Sequence, residues 1–194
     1  NGIRPEPHKK ANEDALVLHI TGSVCARKRQ YLLVEAINRI GNEFLIHNNV
    51  TVNLFGGGPD YNLLSEMVSK YGLSSWVKLH GDTDMPYKQY NLGDLILCIS
   101  TEEGLPIALI EGIRAGCIPI VTDVGGCNLV STNNNGFVLA GMSDESVLNE
   151  LSALLESLTD AVDRNLQGQK SIVLFSQEFS NQKMVEEYAK EILA

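Results

Sequence analysis

Several features that would mark a function are missing from this sequence. Its four cysteines, Cys25, Cys98, Cys117 and Cys127, never occur at C-x-x-C spacing, which argues against a zinc site and dithiol redox chemistry. No apolar run approaches the roughly 20 residues that a membrane-spanning helix needs, and no signal-peptide pattern is present. Cysteines without a pairing pattern suit a reducing compartment, so we expect a cytoplasmic protein.

Positive charge is also scarce. Lysine and arginine number 15 against 24 acidic residues, for a net charge of −9, which excludes a broad nucleic-acid surface. The glycine turn Gly56-Gly-Gly-Pro-Asp60 is not G-x-G-x-x-G, so a nicotinamide site has little support. A tight turn for close packing explains it at least as well as ligand contact. The basic triplet Arg27-Lys28-Arg29 stands out against the overall sign.

The 194 residues, with 44% hydrophobic content, are enough for one domain and an appendage. Short apolar strands alternate with amphipathic helices, which predicts an α/β fold: a Rossmann-like parallel sheet with helices on both faces. Strands are expected at 15–21, 50–55, 76–80, 95–99, 119–122 and 136–139, and helices at 30–40, 61–71, 85–92, 107–115 and 144–158. Ligands bind in the cleft beyond the carboxyl ends of such strands. The basic triplet follows the first strand, so we expect it at the rim of that cleft.

The stretch from Ser100 to Gly116, STEEGLPIALIEGIRAG, organises the chain. It follows a buried strand, and Pro106 suits the start of a short helix that is apolar on nearly all sides, so we expect it to be buried. Glu103 precedes this helix and Glu111 lies inside it. A buried carboxylate needs hydrogen-bond donors, or its burial costs several kcal/mol.

Backbone N–H groups at this helix start, those of Gly104, Leu105 and Ile107, are expected to form an anion site. The helix start can bind a phosphate, and the two carboxylates can accept hydrogen bonds from hydroxyls. A ligand that has both features is a nucleotide sugar. Taken singly, Glu103 is better explained as a solvated loop residue, and Glu111 as an ion pair with Arg114. Both together, framing Gly-Leu-Pro at a strand-to-helix turn, favour a ligand site.

Glu103-Gly-Leu-Pro-Ile-Ala-Leu-Ile-Glu111 resembles the E-x7-E motif of retaining glycosyltransferase family 4, also called glycosyl transferases group 1. The segment Gly116 to Gly126 resembles the strand and loop that follow in that family. The resemblance implies that Glu103 lies by the donor sugar and acts in catalysis, that Glu111 holds the ribose, and that Gly104, Leu105, Pro106 and Ile107 contact the donor.

Other segments extend the resemblance over the whole chain. The family shows Gly-Arg after its first strand and a lysine six positions after the glycine. Gly22 and Lys28 match, which implies a catalytic, diphosphate-binding Lys28. Ser23 replaces the arginine, and Arg27 is the candidate to supply the missing charge. The family's Val-x-Phe-x-Gly segment places Leu79, His80 and Gly81 near the nucleobase, although a lone histidine is more often structural.

The resemblance also implies domain organisation. Asn1-Gly-Ile-Arg4 is similar to the family's link into the second domain of a GT-B fold, and Phe179 to Tyr188 is similar to its closing helix. We therefore expect a linker at 1–14, a donor-binding domain at 15–176, and a helix at 177–194 that packs on a missing N-terminal acceptor-binding domain. Peripheral attachment to the inner membrane face would run through that missing domain.

The implied function is the donor-binding half of a retaining transferase, moving sugar from a nucleoside diphosphate sugar to an acceptor hydroxyl in polysaccharide or glycoconjugate synthesis. No metal or other cofactor is expected, and the fragment alone should be inactive. Two alternatives stay open: another GT-B enzyme such as a nucleotide-sugar epimerase or phosphorylase, and a non-catalytic nucleotide-sugar-binding domain. A flavodoxin-like or dehydrogenase domain would need a cofactor signature that the sequence lacks.

Overall fold

The structure, a computed structural model, describes residues 14–132, 134–180 and 183. Six parallel strands form one sheet in the order β3-β2-β1-β4-β5-β6, which confirms the predicted Rossmann-like α/β fold. The strands are β1 Val17–Thr21, β2 Thr51–Phe55, β3 Val77–Gly81, β4 Leu95–Cys98, β5 Ile118–Thr122 and β6 Phe137–Leu139. The strand order reverses direction between β1 and β4, and the loops after these two strands therefore diverge and leave a crevice.

Helices cover both faces of this sheet. They are α1 Gln30–Ile40, α2 Asn42–His47, α3 Tyr61–Lys70, α4 Ile107–Ala115, α5 Cys127–Val130, α6 Asp144–Ser157 and α7 Ala161–Leu174. Short 3-10 turns form at Ala26–Lys28 and Pro86–Gln89, and a π-helical turn at Phe175–Phe179 follows α7. Parallel strands buried on both faces explain why the strand sequences are nearly continuous apolar runs.

Alternate residues of the strands feed two cores. Leu18, Val52 and Leu97 point to one side, where α1, α3 and α6 pack. Ile96, Cys98 and Val121 point to the other side, where α4, α5 and α7 pack. This alternation follows from the two-residue period of a strand, which directs successive side chains to opposite faces of the sheet.

Three helices were not predicted, and α7 shows why. Its buried face consists of Arg164, Gly168 and Ser171, whereas its apolar Val162 and Leu166 are exposed. Hydrophobic periodicity cannot detect a helix whose inward stripe is polar or small. The helix begins at an N-cap residue, Asp160, whose side chain accepts a hydrogen bond from the N–H of Asp163.

The remaining unpredicted helices, α2 and α5, are only six and four residues long. They are too short to show a periodic pattern. Most of the expected linker at 1–14 and of the expected helix at 177–194 lies outside the described residues, so the proposed domain boundaries stay predictions.

Candidate functional site

A cleft of about 280 Å³ opens at the carboxyl end of the sheet, between the loops that follow β1 and β4. It therefore lies at the switch point where open α/β sheets bind ligands. Its lining brings together residues from β1, β4, the loop after each of these strands, and the start of α4. The lining residues are Thr21, Gly22, Lys28, Leu97, Cys98, Glu103, Leu105, Pro106, Ile107, Ala108 and Leu109.

Glu103 is the most heavily bonded side chain in this cleft. Its Oε1 accepts hydrogen bonds from Lys28 Nζ, from Ser100 Oγ at 2.6 Å and, weakly, from Cys98 Sγ at 3.6 Å. Burial alone would raise the pKa of Glu103, but the hydrogen bonds from Lys28 and Ser100 hold it below its ordinary value. Glu103 is therefore an ionised, firmly held carboxylate, and its interpretation as a solvated loop residue is wrong.

Of the three basic residues after β1, Lys28 lines the cleft and Arg27 lies beside it. Lys28 forms a salt bridge with Glu103. Arg27 Nη1 donates a hydrogen bond to the carbonyl oxygen of Glu102 at 2.5 Å, and the same nitrogen lies 3.7 Å from Glu103 Oε1. A Cβ atom on Gly22 would lie 3.4 Å from Lys28 Cε, so the absence of a side chain there leaves room for the lysine. An ammonium has three donors, so Lys28 can hold Glu103 and still donate to a ligand oxygen.

The third basic residue does not belong to the cleft rim, which corrects the expectation. Arg29 is buried, and it donates to the carbonyl of Met142 at 2.8 Å and pairs with Asp144 at 3.2 Å. Its backbone is left-handed, at φ 54°, as the chain reverses into α1. This reversal directs Arg29 away from Lys28 and toward α6, so its charge serves the fold.

The start of α4 offers backbone donors beside Glu103. The N–H groups of Gly104, Leu105 and Ile107 donate to no partner among the described residues. The helix is less buried than its composition predicts, because Ile107 is 64% exposed and only Leu109, Gly112 and Ile113 are buried. The exposed apolar turn forms one wall of the cleft, so the prediction of a wholly buried helix is wrong.

Glu111 lies on α4 but does not line the cleft. It is half-buried and makes no hydrogen bond or salt bridge with any described residue. Burial raises the pKa of Glu111, and the positive charge of Arg114 only partly offsets this. The expected contact with Arg114 is thus a longer-range attraction, not a salt bridge within 4 Å, and the carboxylate has capacity for outside donors.

Ser23 and the glycine turn 56–58 lie against each other. Ser23 is exposed, and its hydroxyl oxygen would lie 2.9 Å from a Cβ atom on Gly58. A Cβ on Gly56 would meet the carbonyl oxygen of Gly22 at 2.2 Å. The turn therefore allows the close backbone packing that one of the two interpretations proposed.

The three residues expected near a nucleobase lie at the end of edge strand β3. His80 stacks on Phe55, with ring centroids 4.6 Å apart, and its Nε2 bonds Asn53 Oδ1 at 2.8 Å. Burial lowers the pKa of His80, and the charge of Lys78 adds to this effect. Gly81 accepts from the N–H of Gly56, and Leu79 is half-buried. None of the three lines the cleft itself.

Sequence reasoning missed the residues that hold Glu103 in place. Ser100 and Cys98 had no assigned role, although both lie within five positions of the glutamate. The diglycine after β5, Gly125-Gly126, packs on the loop that carries Glu103. A Cβ on Gly125 would lie 1.9 Å from the carbonyl oxygen of Glu103. The N–H of Gly126 donates a hydrogen bond to the carbonyl oxygen of Gly104 at 2.7 Å.

A second cleft, of about 340 Å³, lies at the opposite end of the sheet. Arg164 lines it and donates to the carbonyls of Leu158, Thr159, Asp14 and Ala15, so this cation serves the fold. Across the described ranges, no group of three acidic, histidine or cysteine side chains is placed to hold a metal ion. None of the described helices is long and apolar enough to cross a membrane.

Comparison with known proteins places the chain in a family. The chain belongs to the glycosyl transferases group 1 family, whose model matches residues 4–171. Poly(glycerol-phosphate) alpha-glucosyltransferase of Bacillus subtilis is 28% identical over 54% of this chain and 16% of its own length. N-acetyl-alpha-D-glucosaminyl L-malate synthase of Bacillus anthracis is 22% identical over 92% of this chain and 45% of its own. The chain thus spans less than half of either relative.

Solved structures share the fold. The pneumococcal O-GlcNAc transferase GtfA, in complex with UDP and GlcNAc, superposes with a TM-score of 0.78 at 20% identity, over 92% of this chain and 35% of that one. HepE of Anabaena, in complex with UDP and glucose, gives 0.69 at 21% identity, over 91% and 49%. These likenesses show the Rossmann-like α/β architecture of GT-B glycosyltransferases.

Proposed function

We propose that this chain is the donor-binding domain of a retaining glycosyltransferase that transfers sugar from a nucleoside diphosphate sugar to an acceptor hydroxyl. One observation carries the proposal. A carboxylate, an ammonium and backbone N–H groups without a partner among the described residues converge at the mouth of the cleft between β1 and β4. That combination suits a ligand with both hydroxyls and phosphates.

The diphosphate would bind between Lys28 and the start of α4. Negative charge grows on this leaving group as the bond between the anomeric carbon of the sugar and the diphosphate oxygen breaks. The ammonium of Lys28 and the N–H groups of Gly104, Leu105 and Ile107 would stabilise that charge without reorganisation. Arg27, with its side chain 44% exposed, adds longer-range attraction at the rim.

Glu103 would accept hydrogen bonds from donor-sugar hydroxyls, because it is ionised and faces the cleft. We assign it no covalent role. Glu111 would receive the ribose hydroxyls, because its carboxylate has no hydrogen-bonded partner among the described residues and is costly to keep ionised without one. Leu79, His80 and Gly81 remain proposed neighbours of the base, and no metal is assigned a role.

The acceptor would bind to a separate N-terminal domain across the cleft, since this chain covers only part of its relatives. Synthesis of a polysaccharide or glycoconjugate fits the names of the two relatives, a poly(glycerol-phosphate) alpha-glucosyltransferase and an N-acetyl-alpha-D-glucosaminyl L-malate synthase. Association with a membrane surface would then depend on that other domain. We expect the 194 residues alone to transfer little or no sugar.

Nucleotide titration tests this proposal. We expect the chain to bind one of UDP, GDP and ADP by calorimetry, and Glu111→Ala to weaken that binding about tenfold, the value of one hydrogen-bonded contact to a charged group. Glu102→Ala, an exposed carboxylate in the same loop, is the matched control and should bind like the wild type. Equal binding by the Glu111 variant would refute the ribose role.

A non-catalytic nucleotide-sugar-binding domain is the second candidate, and Ser23 is the observation that favours it. Ser23 is exposed and contributes no charge where the family carries arginine. If Ser23→Arg tightens diphosphate binding, the native site is weakened. If it changes nothing, Arg27 already supplies the charge. The distinction bears on catalysis because a weak diphosphate site stabilises a leaving group poorly.

A further inference from the structure

The two oxygens of the Glu103 carboxylate are used unequally. Oε1 accepts all three hydrogen bonds, from Lys28, Ser100 and Cys98. Oε2 accepts none from the described residues, although Glu103 is in the cleft lining. A carboxylate held by one oxygen has its plane and direction fixed while the other oxygen stays available to a ligand.

Ser100 is the donor whose position is most firmly determined. Its residue is 1% exposed, and its carbonyl oxygen accepts a hydrogen bond from Thr122 Oγ1 at 2.6 Å. Thr122 is the last residue of β5 and is fully buried. The backbone of Ser100 is therefore fixed to the carboxyl end of the sheet, and its buried hydroxyl, bonded to Glu103 Oε1 at 2.6 Å, transmits that position to the carboxylate.

Lys28 cannot supply the same constraint. Its ammonium ends a flexible four-carbon chain, carries three rotatable donors, and comes from the loop after β1. Cys98 is a weak donor at 3.6 Å. Charge and direction thus come from different residues: Lys28 neutralises Glu103, and Ser100 orients it.

We infer that Ser100 is a positioning residue, whose buried hydroxyl holds one oxygen of Glu103 and turns the other toward a hydroxyl of the donor sugar. The inference rests on the proposed donor-binding function. It predicts that Ser100 affects the sugar portion of the ligand and leaves the nucleotide portion alone, because Ser100 reaches the ligand only through Glu103.

The first measurement needs no ligand. Carboxyl ¹³C chemical shifts of Glu103 are followed against pH in the wild-type chain and in Ser100→Ala. Loss of a donor to the ionised form should raise the pKa of Glu103. Ser131→Ala is the matched control, because Ser131 is equally buried but bonds the carbonyls of Pro119 and Phe137. Ser100→Thr keeps the hydroxyl and should keep the wild-type pKa.

The second measurement compares ligands by calorimetry. UDP, UDP-glucose and UDP-N-acetylglucosamine are titrated into the same variants, or their GDP or ADP counterparts where the first titration identifies that nucleotide. The gain in affinity from the sugar is taken as a ratio to the affinity for the nucleoside diphosphate alone. In Ser100→Ala this ratio should fall about tenfold for the preferred sugar while the affinity for UDP stays unchanged. Ser131→Ala should keep both values, and Ser100→Thr should restore the ratio.

The two measurements distinguish a failure of this inference from a failure of the proposed function. An unchanged Glu103 pKa and an unchanged sugar ratio in Ser100→Ala would overturn the positioning role while leaving donor binding intact. Equal loss of UDP and UDP-sugar affinity would also overturn it, because that pattern indicates general damage to the cleft. A wild-type chain that gains nothing from the sugar would overturn the donor-binding proposal and this inference together.

Discussion

Glu103 and Glu111 belong to one motif, yet the fold treats them in opposite ways. Glu103 accepts from three donors, and its pKa is lowered. Glu111 has no hydrogen-bonded partner among the described residues, and burial raises its pKa. One carboxylate is already held through one of its oxygens before any ligand arrives, and the other depends wholly on donors from outside.

The difference follows from the backbone that carries each residue. Glu103 lies in a loop that crosses the ends of β1, β4 and β5, where side chains from several strands can reach it. Glu111 lies in the second turn of α4, where helical neighbours are apolar and the backbone N–H groups are already used. A loop over the sheet end can be built in advance, whereas a helix face leaves the carboxylate to its ligand.

The largest effect should come from breaking the support of Glu103. In Gly125→Ala the new Cβ would lie 1.9 Å from the carbonyl oxygen of Glu103, at a backbone φ of +52°. The clash and the left-handed strain should reduce the free energy of unfolding by about 3 kcal/mol or more. Gly104→Ala, which meets no atom within 4 Å, is the control in chemical denaturation. Equal free energies of unfolding for Gly125→Ala and Gly104→Ala would contradict this prediction, because the loop would then accommodate the Cβ atom without strain.

Removing the charge of Glu103 should have the next largest effect. Glu103→Gln leaves Lys28 without its counter-charge and should cost about 2 kcal/mol at neutral pH. Because the folded pKa lies below its ordinary 4.5, the wild type keeps this advantage above that value and loses it as pH falls through the lowered pKa. Denaturation at several pH values measures this, with Glu102→Gln as control. A difference that is independent of pH would contradict the ionised pair.

The same substitution at Glu111 should have the opposite sign. The folded pKa of Glu111 lies above its ordinary 4.5, so the ionised form at neutral pH costs stability. Glu111→Gln should therefore stabilise the ligand-free chain by at most about 0.5 kcal/mol. The gain should vanish as pH falls through the raised pKa toward and below 4.5. Melting temperatures of both chains across this range test it, and destabilisation by Glu111→Gln would reveal a partner for the carboxylate.

Removal of Arg27 should have the smallest effect on stability, because Arg27 lies farther from Glu103 than Lys28 does. Arg27→Ala removes one hydrogen bond and a 3.7 Å ion pair at an exposed rim, so stability should change by less than about 0.5 kcal/mol. UDP affinity should fall about threefold at low salt and converge with the wild type as salt rises. Arg39→Ala, an exposed arginine bonded to Asn149, is the control. A loss above tenfold would show that Arg27 replaces the family arginine.

The sequence predicts the sheet well because each strand is a short apolar run between turn residues. The motif at Glu103 was also recognisable, since its spacing places a carboxylate beside a helix start. Arg29 could not be placed correctly, because its direction depends on a left-handed residue that the triplet does not reveal. Ser100 escaped notice because its role depends on Thr122, a neighbour in space that lies 22 positions away.

Arg164 has a further consequence for how the chain folds. Its guanidinium joins the segment before α7 to the backbone of Asp14 and Ala15, some 150 positions earlier. These bonds can form only after residues about 150 positions apart have come together, so we expect them to form late in assembly. Strand β1 and helix α7 should therefore gain amide-exchange protection as one cooperative unit, although they stand at opposite ends of the described sequence.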